Sequence, residues 1–202
     1  MSAESYQYSK SDFGAPMTWE QYGTLLEKLY REVSQYLDVN NIHPDVVVPI
    51  FRAAGIPGQY LAYKLKLLKI LSVQYKYLKH GDKIELVQLQ GFRKELLQKE
   101  SPILLLVEND HCFGGTSQAA VDDLKKIYPT GKILYAAVCA DYTHKELKGV
   151  EKAFYGAFTN STRGLSEAEA TKLNVPHKIA LFPWENFEEE LAAVTGQKFD
   201  YK

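Results

Sequence analysis

The segment PILLLVENDHCFGGTS, residues 102–117, decides the fold that the sequence predicts. Its first six residues form the most apolar run of the chain and show no polar alternation, which is typical of a strand covered on both faces of a parallel sheet. Residues 108–110 then place polar side chains at the carboxyl end of that strand. The Gly-Gly-Thr-Ser turn at 114–117 leads into a helix that apolar spacing predicts over 117–128. We therefore expect this segment to supply the central strand of an α/β sheet and the turn that follows it.

Strands and helices alternate on both sides of this segment. A Thr-Trp-Glu-Gln capping box at 18–21 starts a long amphipathic helix, and a β-branched run at 45–50 indicates a second buried strand. The order β-α-β-α-β predicts a doubly wound, mainly parallel sheet flanked by helices. The predicted elements around the central strand are helices over 19–37 and 55–68 and strands over 45–50, 70–78 and 132–140.

The remaining segments have less regular patterns. Residues 79–100 mix charged with apolar side chains and are expected to form an exposed strand or a flap, then a helical piece around 96–97. Because the sequence shows no internal repeat and no low-complexity linker, it predicts one domain, 1–202, with a small hood built from parts of 1–20 and 150–195. The elements expected in the last third are strands over 153–158 and 178–182, a short helix over 166–173 and a last helix capped by Asn186.

Composition argues against several classes of function. Of the 202 residues 46% are hydrophobic, which is ample for a sizeable core. The 24 basic and 25 acidic side chains nearly cancel, so no overall field favours nucleic acid or a membrane surface. Cys112 and Cys139 form no metal-binding or disulfide pattern, and no apolar run approaches the roughly 20 residues of a membrane span. We therefore expect a cytoplasmic protein that binds neither nucleic acid nor a membrane and holds any anion in a local site.

The turn after the central strand has the features of a phosphate site. Gly114 and Gly115 let backbone amides approach an anion closely, and the helix start adds its dipole and free N–H groups. Thr116 and Ser117 can donate hydroxyl hydrogen bonds, and Glu108 is placed to meet ribose hydroxyls or a magnesium ion. The alternative is an ordinary strand-to-helix turn, because Gly-Gly-Thr alone is common.

With this motif the chain resembles the type I phosphoribosyltransferases, most closely those of the purine (hypoxanthine, xanthine and guanine) type. Their signature is an apolar strand, two acids, a few variable residues and a Thr-Gly-Gly-Thr turn. Glu108 matches the first acid. The resemblance implies that the turn, from Phe113 to Ser117, holds the 5-phosphate of phosphoribosyl pyrophosphate (PRPP) and that the acids bind its ribose.

The motif departs from the family pattern at two positions. Asn109 stands where a second acid is usual. Cys112 stands where hypoxanthine-type members have an aspartate that accepts or relays the purine N7 proton, a role left here to Asp110 or His111. The catalytic residues that the resemblance implies are Glu108, Asn109, Asp110 and Cys112.

A second matching segment, VPIFRAAGIP at 48–57, resembles the pyrophosphate loop of the same family. Arg52 stands at the family's basic position, and a guanidinium beside helix-start amides can clamp pyrophosphate. Ala53 replaces a glycine of the family pattern. The resemblance implies that Arg52 and Ala53 contact pyrophosphate, and the alternative is an ordinary surface arginine at a strand end.

A third segment, IALFPWE at 179–185, is similar to the closing strand of purine phosphoribosyltransferases, which forms part of the hood over the base. Ile179 takes the position of an aromatic residue that often stacks on the purine, and the backbone of Ala180 and Leu181 could face the edge of the base. Asp141, at the end of the preceding strand, could accept a hydrogen bond from an amino group of the base. The base site implied in this way comprises Asp141, Ile179, Ala180 and Leu181, and the implied magnesium ligands are Glu108 and Glu185.

The three motifs lie in the family's order, and together they imply a magnesium-dependent transferase. It would move the phosphoribosyl group of PRPP to a nitrogenous base, with a purine expected, and release pyrophosphate under a lid formed by 79–100. A homodimer is implied by the resemblance. The alternative is a non-catalytic member that binds a nucleotide or sugar phosphate as a regulator. An unrelated α/β phosphate-binding hydrolase is a third alternative, but the sequence has neither a nucleophile elbow nor a P-loop.

Overall fold

The computed structural model describes residues 9–80 and 83–188, which form two sheets and four α-helices. No helix among the described residues is long and apolar enough to cross a membrane. In chain order the elements are β1 Phe13–Pro16, α1 Trp19–Asn40, β2 Val46–Phe51, α2 Gly55–Lys64, β3 Val73–His80, β4 Lys83–Gln90, β5 Ile103–His111, α3 Gly115–Ile127, β6 Lys132–Asp141, β7 Lys152–Thr159, α4 Glu167–Lys172 and β8 Ile179–Leu181.

The main sheet has six strands in the order β4-β3-β2-β5-β6-β7, and only β4 runs antiparallel to its neighbour. β5 lies in the middle of the parallel part, with Val48 of β2 beside Leu106 and Ala136 of β6 beside Val107. Helix α1 packs on β6 and β7, α2 on β2 and β5, and α3 on β3 and β5. These observations confirm the predicted doubly wound, mainly parallel sheet with the apolar segment at its centre.

Helix α1 begins where the capping box predicts. The Thr18 hydroxyl accepts a hydrogen bond from the Gln21 amide at 3.1 Å, and the Gln21 side chain accepts one from the Thr18 amide at 2.8 Å. The helix ends at Asn40, and the capping residue Asn41 takes the left-handed conformation with φ 50°. One face enters the core along its whole length, through Tyr22, Leu26, Leu29, Val33 and Leu37.

Several predicted elements differ in extent from those in the structure. Helix α2 ends at Lys64 instead of residue 68, because Lys66 is left-handed with φ 56°. Of the two alternatives for residues 79–100, the exposed strand is confirmed, since β4 is an edge strand that pairs antiparallel with β3. The expected helical piece is a single 3₁₀ turn at Lys94–Leu96. The last predicted helix lies largely outside the described residues, although Asn186 accepts a hydrogen bond from the Glu188 amide at 2.8 Å as a cap would.

A second, two-stranded sheet joins the beginning and the end of the described chain. β1 pairs in parallel with β8, with Phe13 beside Ile179 and Pro16 beside Leu181. The sequence predicts β8 but not β1, because four residues with Gly and Pro among them carry no strand pattern. We refer to this two-stranded sheet of β1 and β8 as the hood.

Candidate functional site

A cavity of about 360 Å³ opens at the carboxyl ends of β2 and β5. One wall is formed by residues 50–53, which end β2 and begin the loop after it, and another by residues 110–117, which lead from β5 into α3. Glu108 and Tyr77 complete the lining. The structure therefore brings together the two segments in which the sequence predicts phosphate and pyrophosphate binding.

The acids of the motif lie within β5, because this strand continues to His111 and does not end at Val107 as predicted. Alternate strand residues face opposite sides, so Glu108 and Asp110 line the cavity and Asn109 does not. Asn109 is buried on the other side, where its Oδ1 accepts a hydrogen bond from the Tyr22 hydroxyl at 2.8 Å.

Both cavity-facing carboxyl groups hold their protons more tightly than in water. Burial raises the pKa of Glu108 to about 8 and the pKa of Asp110 to about 6. The Cys112 thiol donates a hydrogen bond to Asp110 Oδ2 at 3.1 Å, whereas Oδ1 is the one buried side-chain polar atom in the described chain without a hydrogen-bond partner. An unpartnered buried oxygen on a cavity wall is suited to receive a donor or a cation from a ligand.

The turn at the start of α3 leaves backbone donors available to the cavity. Gly114 is left-handed with φ 73°, a conformation that favours glycine, and no side chain caps the helix start. The first amides of α3 can therefore bind an anion at the positive end of the helix dipole. Ser117 also lines the cavity, and its buried hydroxyl is hydrogen-bonded to the Tyr135 hydroxyl at 2.9 Å. Phe113 is 70% exposed at the cavity rim.

His111 is held in the core, although its ring reaches the cavity wall. Nδ1 lies 2.9 Å from the Tyr135 hydroxyl and Nε2 lies 3.1 Å from the Lys145 carbonyl oxygen. Burial lowers the pKa of this histidine. Because both ring nitrogens are engaged, Asp110 is the better placed of the two alternatives for contact with a ligand.

The loop after β2 places Arg52 and Ala53 on the cavity wall across from the turn. The peptide bond between Phe51 and Arg52 is cis. Helix α2 follows at once and approaches β2 closely at Gly58, where a Cβ atom would lie 2.7 Å from the Pro49 Cβ. The loop is thus held between a buried strand and a tightly packed helix.

Comparison with solved structures identifies the fold. A purine phosphoribosyltransferase from Pyrococcus horikoshii superposes with a TM-score of 0.59 at 17% identity, over 84% of this chain and 92% of that one. A xanthine-guanine-hypoxanthine phosphoribosyltransferase from Helicobacter pylori gives 0.55 at 14% identity, over 87% and 96%. The fold is that of the type I phosphoribosyltransferases.

A further neighbour with the same fold was solved with a bound nucleotide. A hypothetical protein from Neisseria gonorrhoeae with bound ppGpp gives a TM-score of 0.61 at 13% identity, over 89% of this chain and 94% of that one. No family model and no curated protein matches the chain by sequence. The likeness to these neighbours is therefore one of fold.

Within this phosphoribosyltransferase fold, none of the four residues of the predicted base site lines the cavity. Asp141 is fully buried and accepts four hydrogen bonds, from the amides and the hydroxyls of Thr143 and Thr162 at 2.6–2.9 Å. Residues 179–181 form β8 and pair with β1 in the hood. The structure thus gives Asp141 a complete set of partners within the protein.

Of the two predicted magnesium ligands, Glu108 lines the cavity and Glu185 does not. The Oε2 of Glu185 accepts a hydrogen bond from the Phe182 amide at 2.8 Å. Glu108 and Asp110 both line the cavity, and the unpartnered Oδ1 of Asp110 supplies the kind of oxygen that magnesium prefers. No group of three or more potential ligands occurs among the described residues, so any ion would also need oxygens from water or from the ligand.

Tyr77 is a cavity residue that the sequence does not predict. Its position on β3 places it on the same face as Tyr75, a pattern that alternation along the strand does predict. Only the order of strands in the sheet shows that this face meets the start of α3, so the residue could not be assigned to the site in advance.

Proposed function

We propose that this protein binds PRPP with magnesium and transfers its phosphoribosyl group to a nitrogenous base, with a purine as the first candidate, releasing pyrophosphate. The observation that carries the proposal is the shared cavity. It combines the turn at 114–117 with the Arg52 loop, and Glu108 and Asp110 line the same cavity. A sugar that carries a phosphate at one end and a pyrophosphate at the other matches this combination of groups.

The reaction breaks the bond between C1 of the ribose and the pyrophosphate oxygen and forms a bond from C1 to a base nitrogen. In this proposal the amides at the start of α3 hold the 5-phosphate and Arg52 holds the leaving pyrophosphate. Glu108 faces the ribose hydroxyls, and Asp110 accepts the proton that the base nitrogen loses. Magnesium, held by these carboxylates and the ligand, would neutralise charge on the pyrophosphate. The protein's own contribution is mainly to position the reactants.

Specific residues also favour the second candidate, a protein that binds a nucleotide without transfer. Asn109 is turned away from the cavity, and Cys112 occupies the position of the family's base-side aspartate. The neighbour with bound ppGpp has the same fold, which supports a guanine nucleotide as the ligand of this alternative.

Titration calorimetry with PRPP and magnesium tests binding, and a pyrophosphate-release assay against a panel of purine and pyrimidine bases tests transfer. Binding followed by release with one base supports the transferase and names its acceptor. Binding without release from any base supports the nucleotide-binding alternative, which titration with ppGpp then examines. If PRPP does not bind, both the site and the transferase proposal are wrong.

A substitution at Gly115 tests the location of the site. We expect Gly115→Asp to abolish PRPP binding, because it places a carboxylate where the phosphate belongs. Gly23→Asp is the matched control, since Gly23 lies on the exposed side of α1 with nothing within 4 Å of its added Cβ. Equal PRPP affinity in the two variants would show that the phosphate does not bind at the turn.

A further inference from the structure

Strand β3 directs two tyrosines toward helix α3. Tyr75 and Tyr77 are two residues apart and so lie on the same face of the strand. The Tyr75 hydroxyl donates a hydrogen bond to Asp123 of α3 at 2.8 Å and accepts one from Gln88 at 2.9 Å. Tyr75 is thereby fixed against the middle of the helix, and Tyr77 lies further along the strand, toward the start of the same helix.

The Tyr77 hydroxyl lies directly above the phosphate turn. A Cβ atom added to Gly115 would overlap this hydroxyl, whereas the ring carbon Cζ would remain at an ordinary contact distance of 3.7 Å. Gly115 does not have a positive φ, so its backbone conformation does not require glycine. The absence of a side chain at Gly115 is what leaves room for the tyrosine hydroxyl beside the first amides of α3.

Tyr77 has the properties of a ligand-binding side chain. It lines the cavity together with Thr116 and is 53% exposed, in contrast to Tyr75, which is 8% exposed. Among the residues that the structure describes, the Tyr77 hydroxyl has no hydrogen-bond partner, while that of Tyr75 has two. An O–H donor and the N–H donors of a helix start that converge on one space favour an anionic oxygen there.

We propose that the Tyr77 hydroxyl donates a hydrogen bond to the phosphate monoester of the ligand at the turn. This inference rests on the proposed function, because it concerns the same cavity, and it deepens it by naming a donor from the β3–β4 hairpin. The chemical class is a sugar 5-phosphate. Inorganic pyrophosphate, which the Arg52 wall would hold, is not expected to need Tyr77.

The test compares three probes in titration calorimetry with Tyr77→Phe: ribose 5-phosphate, PRPP and inorganic pyrophosphate. We expect about tenfold weaker binding of the first two probes, the loss of one hydrogen bond to a charged group, and unchanged binding of pyrophosphate. Tyr75→Phe is the matched control, because it removes a hydroxyl from the same strand face outside the cavity. It should leave the affinity for all three probes unchanged, whatever it does to stability.

A double-mutant cycle with Gly115→Ala tests the contact itself. The added methyl group overlaps the tyrosine hydroxyl but not the ring, so Gly115→Ala should weaken ribose 5-phosphate binding severalfold in the natural protein and have little further effect in the Tyr77→Phe background. If Gly115→Ala weakens ribose 5-phosphate binding by the same factor in the natural protein and in Tyr77→Phe, the inference is wrong.

The outcomes separate this inference from the proposed function. If the natural protein binds PRPP and Tyr77→Phe binds ribose 5-phosphate equally well, the role of Tyr77 is wrong and the site stands. If Tyr77→Phe weakens the binding of pyrophosphate as much as that of ribose 5-phosphate, the assignment of Tyr77 to the phosphate monoester is wrong. If the natural protein binds neither sugar phosphate, the proposed function itself fails.

Discussion

Glu108 and Asp110 are acids whose burial should be measurable as a pH dependence of stability. The pKa of Glu108 is raised from 4.5 to about 8 in the folded protein, so between these values the native state binds more protons than the unfolded state. Stability contributed by this group is complete below about 4.5 and is lost as the pH rises through about 8. Asp110 acts in the same direction over a lower window, from 3.8 to about 6.

We therefore expect Glu108→Gln, which cannot ionise, to become more stable relative to the natural protein as the pH rises. The gain should be about 3–4 kcal/mol from about pH 5 to about pH 8, measured by urea denaturation in magnesium-free buffer. Glu85→Gln on the exposed β4 is the control, because it removes a carboxyl group that lies outside the cavity. A Glu108→Gln difference that is constant across this range would show that the carboxyl group titrates normally.

Substitution of Asp141 tests whether this residue contacts the base or only stabilises the fold. The sequence places it at a strand end, where ligands bind in this kind of sheet, but cannot show that Thr143 and Thr162 turn back to surround it. Removing the carboxylate leaves its donors without partners, so Asp141→Ala should lower the free energy of unfolding by about 2–4 kcal/mol. If a base is accepted, its identity should not change in Asp141→Asn. A switch of base in the pyrophosphate-release assay, without loss of stability, would contradict this interpretation.

At the scale of elements, the contact between α1 and β7 depends on Gly156. A Cβ atom there would lie 2.6 Å from the Val138 carbonyl oxygen and 3.0 Å from the Leu25 carbonyl oxygen, so the helix and the neighbouring strands would have to move apart. We expect Gly156→Ala to destabilise the protein by about 1–3 kcal/mol, as overpacking does elsewhere.

The matched control is a glycine of α1 itself, Gly23, whose replacement by alanine should change stability in the opposite direction. Gly23 has nothing within 4 Å of an added Cβ, so Gly23→Ala should raise the free energy of unfolding by up to about 1 kcal/mol through helix propensity alone. Urea denaturation of both variants checks the pair. A Gly156→Ala variant as stable as the natural protein would mean that α1 does not lie this close to the sheet.

The elements also show which features of the fold are predictable from sequence. Buried parallel strands and α1 are predictable because unbroken apolar runs and a capping box are local signals. The continuation of β5 to His111 is not, because Glu108 and Asp110 look like loop residues unless the cavity they face is known. β1 is missed because its pairing with β8 joins segments far apart in sequence. Tyr77 is missed for the same reason, since its role depends on which helix β3 meets.

At the scale of the whole molecule, one aromatic cluster joins the hood to the main sheet. Trp184, after β8, lies 5.0 Å from the ring of Tyr22 and 5.7 Å from Trp19 between ring centroids, and it stacks on Phe182. Tyr22 belongs to the buried face of α1 and donates its hydroxyl hydrogen bond to Asn109 of the central strand. The hood is therefore attached to the strand that carries the cavity acids, and its end packs on the first helix.

This attachment predicts that the hood and the sheet unfold as one unit. The chain has two tryptophans, Trp19 and Trp184, and both lie in the cluster, so intrinsic fluorescence reports on this junction while far-UV circular dichroism reports on the whole fold. We expect the two urea transitions to coincide. Tyr22→Phe leaves the buried Asn109 oxygen without its donor and should shift both transitions together by about 1–2 kcal/mol. A fluorescence transition at lower urea concentration than the dichroism transition would instead mean that the hood unfolds independently of the main sheet. In that case the Tyr22–Asn109 hydrogen bond does not hold the hood to β5.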